Sequence, residues 1–327
     1  MQVIAAILVV LCVASAAFAE EPPAWAKTDL RAGIIGTDTS HVPAFTGLFC
    51  KHPEWKVKVV AAFPGGSPDV ASSRDRVEKF AKDIHDKYGV ELVDTIDALL
   101  AKVDVVLIES VDGRPHLAQA RPVLKARKRL FIDKPFTASL QDAREIVRLS
   151  RESGTPFFSC SCARFQPEVW KLRTEPAAAG VGKFVKVQGS SPMSIEPHHP
   201  DLFWYGIHGV EALYTVLGRG CISVSRQAEG NLDVTTGRWA DGRTGIFRGV
   251  KQGDYKPVIK VWGADGEYEM PGGFDYNGLV RVMAEFFHTG QAPIDPDETI
   301  EICEFMTAAQ LSKERGGAEV KLDELRK

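Results

Sequence analysis

Short apolar runs alternate with amphipathic stretches through the first half of the chain, and this alternation predicts the fold. Arg31 to Ile35 reads as a strand, His41 to Cys50 as a short helix and Trp55 to Phe63 as a second strand. Asp69 to Tyr88 has a helical period, Ile96 to Lys102 is a short helix, and Val103 to Glu109 reads as a buried strand. Helix Pro115 to Ala126, strand Arg129 to Asp133, helix Leu140 to Glu152 and strand Pro156 to Ser161 follow. Strands separated by helices of this length imply parallel crossovers and a Rossmann-like, doubly wound sheet over residues 29–162.

The pattern changes near Ala163. Strands then follow one another: Lys183 to Gly189, Cys221 to Arg226, Asp233 to Arg238, Gly245 to Val250 and Val258 to Trp262. Helices are expected at about Leu202 to Leu217, Gly278 to His288 and Ile300 to Glu314. Residues 163–327 therefore read as a second α/β domain with a large open, mainly antiparallel sheet, serving substrate binding and oligomerisation. One solvated sheet face offers a surface for a homo-oligomer.

The ends and the composition narrow the setting. Val3 to Val13 is apolar but too short to span a membrane, and Ala17-Phe18-Ala19 is a small-x-small cleavage site. Residues 1–19 are expected to be a secretory signal, which makes the chain periplasmic or secreted, with no stable membrane anchor. No twin-arginine pair is present, so the chain would cross the membrane unfolded and meet any soluble cofactor outside the cytoplasm. The net charge of −3 and the absence of a basic cluster argue against a nucleic-acid partner. Five of the six cysteines follow the cleavage site, with no Cys-x-x-Cys pair among them. They read as buried apolar thiols rather than a zinc site.

The candidate chemistry begins at Gly33-Ile-Ile-Gly-Thr-Asp-Thr-Ser-His41. A strand runs into Gly36 and a helix starts soon after, the setting of the dinucleotide fingerprint G-x-G-x-x-G. Only the first glycine is kept; Asp38 stands at the second and His41 at the third. The second glycine normally lets a pyrophosphate lie against the backbone. A carboxylate about 4 Å from that charge costs roughly 4 kcal/mol at an effective dielectric near 20, on the order of a thousandfold in affinity. Asp38 could also cap the first helix. The second strand ends Ala61-Ala-Phe-Pro-Gly65 without the acid expected for the ribose. Asp38, Glu109, Asp112 and Asp133 make the carboxyl edge of the sheet acidic, and His41, His116 and His208 could add nitrogen ligands. Asp38-x-x-His41 and His208-x-x-Glu211 each place two side chains on one helical face. His198 and His199, in Pro197-His-His-Pro-Asp201, are expected on a loop surface.

Four landmarks carry a resemblance to a known family. They are Gly33-Ile-Ile-Gly36, Val105-Val-Leu-Ile-Glu-Ser-Val-Asp-Gly-Arg-Pro-His116, Asp133-Lys-Pro135 and Trp204-Tyr-Gly-Ile-His-Gly-Val-Glu211. Cys162-Ala-Arg-Phe165 adds a fifth stretch at the domain junction. In this order they resemble the glucose–fructose oxidoreductase, inositol dehydrogenase and MocA (Gfo/Idh/MocA) family. The resemblance implies NAD(P)-dependent redox chemistry on sugars, polyols or their derivatives. It implies catalytic roles for Lys134, between nicotinamide and substrate, and for His208, as base; Tyr205, beside His208 in the sequence, is expected to join them because aromatic faces stack on sugar rings. It places the cofactor against Gly36, Thr37, Asp38, Ser110, His116, Asp133 and Lys134.

Two classes of function follow, both with a small carbohydrate as substrate. One is a Gfo/Idh/MocA-like oxidoreductase with an altered nucleotide loop. The other is an exported lyase or hydrolase that has lost NAD(P) and holds a divalent metal through Asp38, His41, His208 and Glu211. A non-catalytic sugar-binding protein would give Lys134 and His208 no evident purpose.

Overall fold

The computed structural model describes residues 21–253, 257–271 and 275–326; the expected signal segment, residues 1–19, lies outside them. The first half alternates strands β1 (Leu30–Ile35), β2 (Val57–Phe63), β3 (Glu91–Leu92), β4 (Val105–Ile108), β5 (Arg129–Asp133) and β6 (Phe157–Cys160) with helices. These are α1 (His41–Lys51), α2 (Ala71–Arg74), α3 (Val77–Tyr88), α4 (Ile96–Leu100), α5 (His116–Lys125) and α6 (Leu140–Ser153). The strands pair in parallel in the order β3-β2-β1-β4-β5-β6. Every residue of β4 is buried, as a parallel strand covered on both faces requires. The order reverses between β1 and β4, so the ligand crevice of such a sheet lies beside the carboxyl ends of these two strands.

The helix expected over Asp69 to Tyr88 is interrupted at Asp75 and Arg76. Serines compete for backbone and nearby polar groups here. The Ser73 hydroxyl accepts from the Ser67 amide and donates to Asp38, and the Arg76 guanidinium binds the Ser72 carbonyl.

A 3-10 turn, Cys162–Phe165, leads through α7 (Pro167–Thr174) into β7 (Phe184–Pro192). A wide turn, Leu202–Gly206, opens α8 (Ile207–Leu217). Strands β8 (Cys221–Glu229), β9 (Leu232–Trp239), β10 (Thr244–Val250), β11 (Val258–Gly263) and β12 (Gly266–Pro271) follow. Helices α9 (Asn277–Thr289) and α10 (Pro296–Glu314) and strand β13 (Val320–Lys321) complete the described chain. The second sheet has the order β12-β11-β7-β10-β9-β8-β13. β7 and β10 run parallel and the other neighbours antiparallel. Burial alternates along β9 and β10, so one face packs under α8 and α10 and the other meets solvent. The fold is α/β, with a parallel Rossmann-like sheet and a second, mostly antiparallel sheet.

Helix α9 returns to the first sheet. Its Leu279, Met283, Phe286 and Phe287 share a core with Phe45 and Phe131. Its 3.6-residue period shows which face is apolar but not which sheet that face will cover.

Candidate functional site

The carboxyl ends of β1 and β4 are pinched together. Gly36 has φ +85°, and a Cβ there would sit 2.2 Å from Ser110 Oγ and 2.7 Å from its amide nitrogen. Ser110 exchanges hydrogen bonds with Gln119. Thr37 Oγ1 lies 3.1 Å from the Pro64 carbonyl oxygen and 2.9 Å from that of Val77. Asp38 is fully buried. Its Oδ1 accepts from the Val111 amide at 2.8 Å and its Oδ2 from the Ser73 hydroxyl at 2.5 Å. Burial pushes its pKa up, and these two hydrogen bonds offset only part of the rise. His116 is also buried, with Nδ1 3.0 Å from the Phe136 carbonyl oxygen and Nε2 2.9 Å from that of Ser110. It braces the turn after β4 against the segment after Lys134. Asp38 therefore bridges two loops rather than capping α1 through its side chain; the first amide of α1, that of His41, instead donates to Thr39 Oγ1.

A crevice of about 180 Å³ lies beside this knot, lined by His41, Lys134, Tyr205 and His208 among others. Lys134 follows β5, and its ammonium stands 5.5 Å from the centroid of the Tyr205 ring. Asp133 carries the charge balance. Its Oδ1 accepts from the Lys134 amide at 2.8 Å, and its Oδ2 meets His41 Nδ1 at 2.5 Å. Burial raises the Asp133 pKa, but His41 and Lys134 outweigh this and hold it below its ordinary value.

The wide turn exposes Tyr205 and starts α8, which carries His208. Close approach of backbones fixes this helix on the second sheet: a Cβ on Gly189 of β7 would lie 2.7 Å from the Gly209 carbonyl oxygen. His208 Nδ1 lies 2.7 Å from Ser161 Oγ, which already accepts from the Ala163 amide. With the ring proton on Nδ1 and donated to Ser161, Nε2 is the atom that can take a proton. Burial, then Lys134 and His41, hold the His208 pKa well below its ordinary value, against the pull of Asp133.

A model of the oxidoreductase family with an NAD-binding Rossmann fold matches residues 30–159. Those residues belong to the Gfo/Idh/MocA family. No curated protein matches the chain. Solved structures extend the likeness in fold to both halves of the chain. Apo scyllo-inositol dehydrogenase from Lactobacillus casei has a TM-score of 0.73 at 14% identity, over 90% of this chain and 99% of that one. GenD2 of gentamicin A biosynthesis, solved with NAD, has 0.71 at 16%, over 90% and 97%. An Agrobacterium radiobacter oxidoreductase, solved with NAD+, L-tartaric acid and magnesium, has 0.72 at 14%, over 91% and 99%.

Against this Gfo/Idh/MocA frame, several expectations need correction. Asp38, His41, His208 and Glu211 do not form a metal cluster, and no group of three or more ligating side chains suited to a metal exists among the described residues. Each is drawn to a different partner: Asp38 to Ser73 and Val111, His41 to Asp133, His208 to Ser161 and Glu211 to Arg164. Spacing put pairs on one helical face, but burial forced each polar group to the nearest partner.

His199 is not a surface residue. Its buried Nε2 lies 3.1 Å from both the Gly113 amide and Asp112 Oδ1, and its Nδ1 2.9 Å from Glu196. Burial raises the Asp112 pKa, but hydrogen bonds from His199 and Arg114 win and hold it below the usual carboxylate range. Ser161 was also missed. A serine three residues before an Arg-Phe stretch is not a signal unless α8 is known to pack beside it.

Proposed function

We propose that the protein acts on a small polyhydroxy compound, a sugar, polyol or sugar derivative, as a member of its oxidoreductase family. The observation that carries this reading is the convergence of Lys134, Tyr205 and His208 on one crevice. His208 Nε2 takes a proton from a substrate hydroxyl, and a histidine held neutral at pH 7 suits that task; the hydride on the same carbon would need a two-electron acceptor of the nicotinamide class, which the oxidation reading requires and the elimination reading below does not. The Lys134 ammonium stabilises the developing alkoxide. Tyr205 offers an aromatic face to the sugar ring. Asp133 and His41 anchor the base of the lysine. Ser161 holds the His208 tautomer.

The residues around the nucleotide loop do not fit a dinucleotide as they stand. The Asp38 carboxylate is turned into the loop, and a crevice of about 180 Å³ is small beside the roughly 300–1,000 Å³ of ordinary ligand pockets. That observation favours a second reading, elimination without NAD(P). There His208 removes a proton beside a carbonyl, the C–H pair forms the double bond, and the β-substituent leaves as Lys134 stabilises the oxyanion.

Mass spectrometry of products from a panel of polyols, sugars and sugar acids, with and without NAD(P), separates the two. Loss of two hydrogens supports oxidation and loss of water supports elimination. A protein that binds no polyhydroxy compound in calorimetry would overturn both readings.

Two further proposals concern context. The solvated face of the second sheet exposes Val185 and Ile222 to about half, which supports a homo-oligomer formed through it. Export rests on the sequence of residues 1–19.

A further inference from the structure

We infer that Asp38 is a built-in anion seated at the pyrophosphate locus, so that free NAD(P) is excluded from the cleft at the switch point. The inference rests on the family reading for the position of that locus, and on four observations for its occupation. Asp38 stands where the second glycine of the fingerprint would let the pyrophosphate approach. Its carboxylate consumes two donors that an anion at this place would need, the Val111 amide and the Ser73 hydroxyl. Gly36 packs directly against Ser110 at the ends of β1 and β4, where a Cβ would lie 2.2 Å from the Ser110 hydroxyl.

The fourth observation is Glu109 at the end of β4. It is fully buried, and neither carboxyl oxygen has a hydrogen-bond partner. Burial first, and then the neighbouring Asp133 and Asp38, favour its protonated form. Three carboxyl groups thus underlie a place that should attract phosphate. A Rossmann loop normally presents backbone amides and a helix N-terminus to phosphate; here Asp38 occupies the available donors, with Arg76 as the nearby cation.

The turn after β4 is closed from outside as well. Arg114 bridges Asp112 and Asp69, with contacts of 2.7 to 2.8 Å on its terminal nitrogens. His199, from the segment between β7 and α8, seats on the Gly113 amide. A dinucleotide would have to displace Asp38 and meet the acids beneath it.

Titration calorimetry of the full chain with NAD, NADP and inorganic pyrophosphate tests the idea. The unmodified protein should bind none of them at micromolar concentration. Asp38→Gly frees both donors and should gain at least about tenfold in affinity for pyrophosphate and the nucleotides. Asp38→Asn keeps the shape and removes the charge, so a smaller gain is expected, and it serves if the glycine variant unfolds. Micromolar binding of NAD(P) by the unmodified protein overturns the inference. So does a folded Asp38→Gly that binds no better than its parent. Polyol binding measured on the same samples reports separately on the proposed function, because the hydrogen bonds of Asp38 run to Ser73 and Val111 rather than to the residues proposed to act on the polyol.

Discussion

Arg164 is the perturbation most tightly worked out by the structure. Its side chain is buried, with Nε 2.7 Å from Glu211 Oε2 and Nη1 2.6 Å from Glu298 Oε1. Glu298 has a second cation, Arg173, at 2.9 Å. Glu211 is one turn beyond His208 on α8, so the pair also orients the helix that carries the proposed base. Replacing Arg164 by Met leaves Glu298 with Arg173 but strands Glu211 in the core. Removing one partner of a buried pair costs about 3–5 kcal/mol. The Glu211 pKa is already raised, with burial outweighing Arg164, and losing the arginine raises it further. The folded variant then keeps a proton on Glu211 that the unfolded chain releases above about pH 4.3. Its stability should therefore fall as pH rises, by up to about 1.4 kcal/mol per unit, until the folded pKa is reached. Urea unfolding of both proteins at several pH values between 5 and 8 measures this. Adding Glu211→Gln to Arg164→Met should flatten the pH dependence and recover part of the loss. A destabilisation under about 1 kcal/mol, or one that does not change with pH, would refute the reasoning.

Two further predictions concern titration. His208 is held below its ordinary pKa first by burial and then by Lys134; the acid limb of the pH–rate profile should thus lie below about 6.5, and Lys134→Met should move it upward. For Glu109, burial followed by Asp133 and Asp38 raises the pKa well above normal; the folded state keeps the proton, and stability is lost as pH rises from about 4.3 towards that raised value. Glu109→Gln removes this loss, so its urea midpoint should equal the parent's in acid and exceed it above neutrality.

The pattern of the sequence determined the order of elements and the class of fold. Buried apolar runs of four to seven residues between amphipathic helices can be satisfied only by a sheet covered on both faces. Lys134 directly after such a run had to emerge at the carboxyl edge, and His208 on an apolar helix had to face another layer. The loss of two fingerprint glycines was equally plain, because a steric requirement for glycine is read from residue identity alone. The short strands β3 and β13 escaped notice, as two residues carry no period.

Only the tertiary structure decided where the polar groups went. Asp38 meets a serine 35 positions away and His41 an aspartate 92 positions away. His199 crosses from the second domain to the turn after β4, and α9 returns to the first sheet. Local sequence sets which face of an element is apolar through its period of two or 3.6. It does not set which donor lies opposite a buried carboxylate, because that follows from how whole layers pack. The same histidines and acids that spacing would gather around a metal are therefore each satisfied by a separate partner, since a buried polar group must be paired where the packing leaves it.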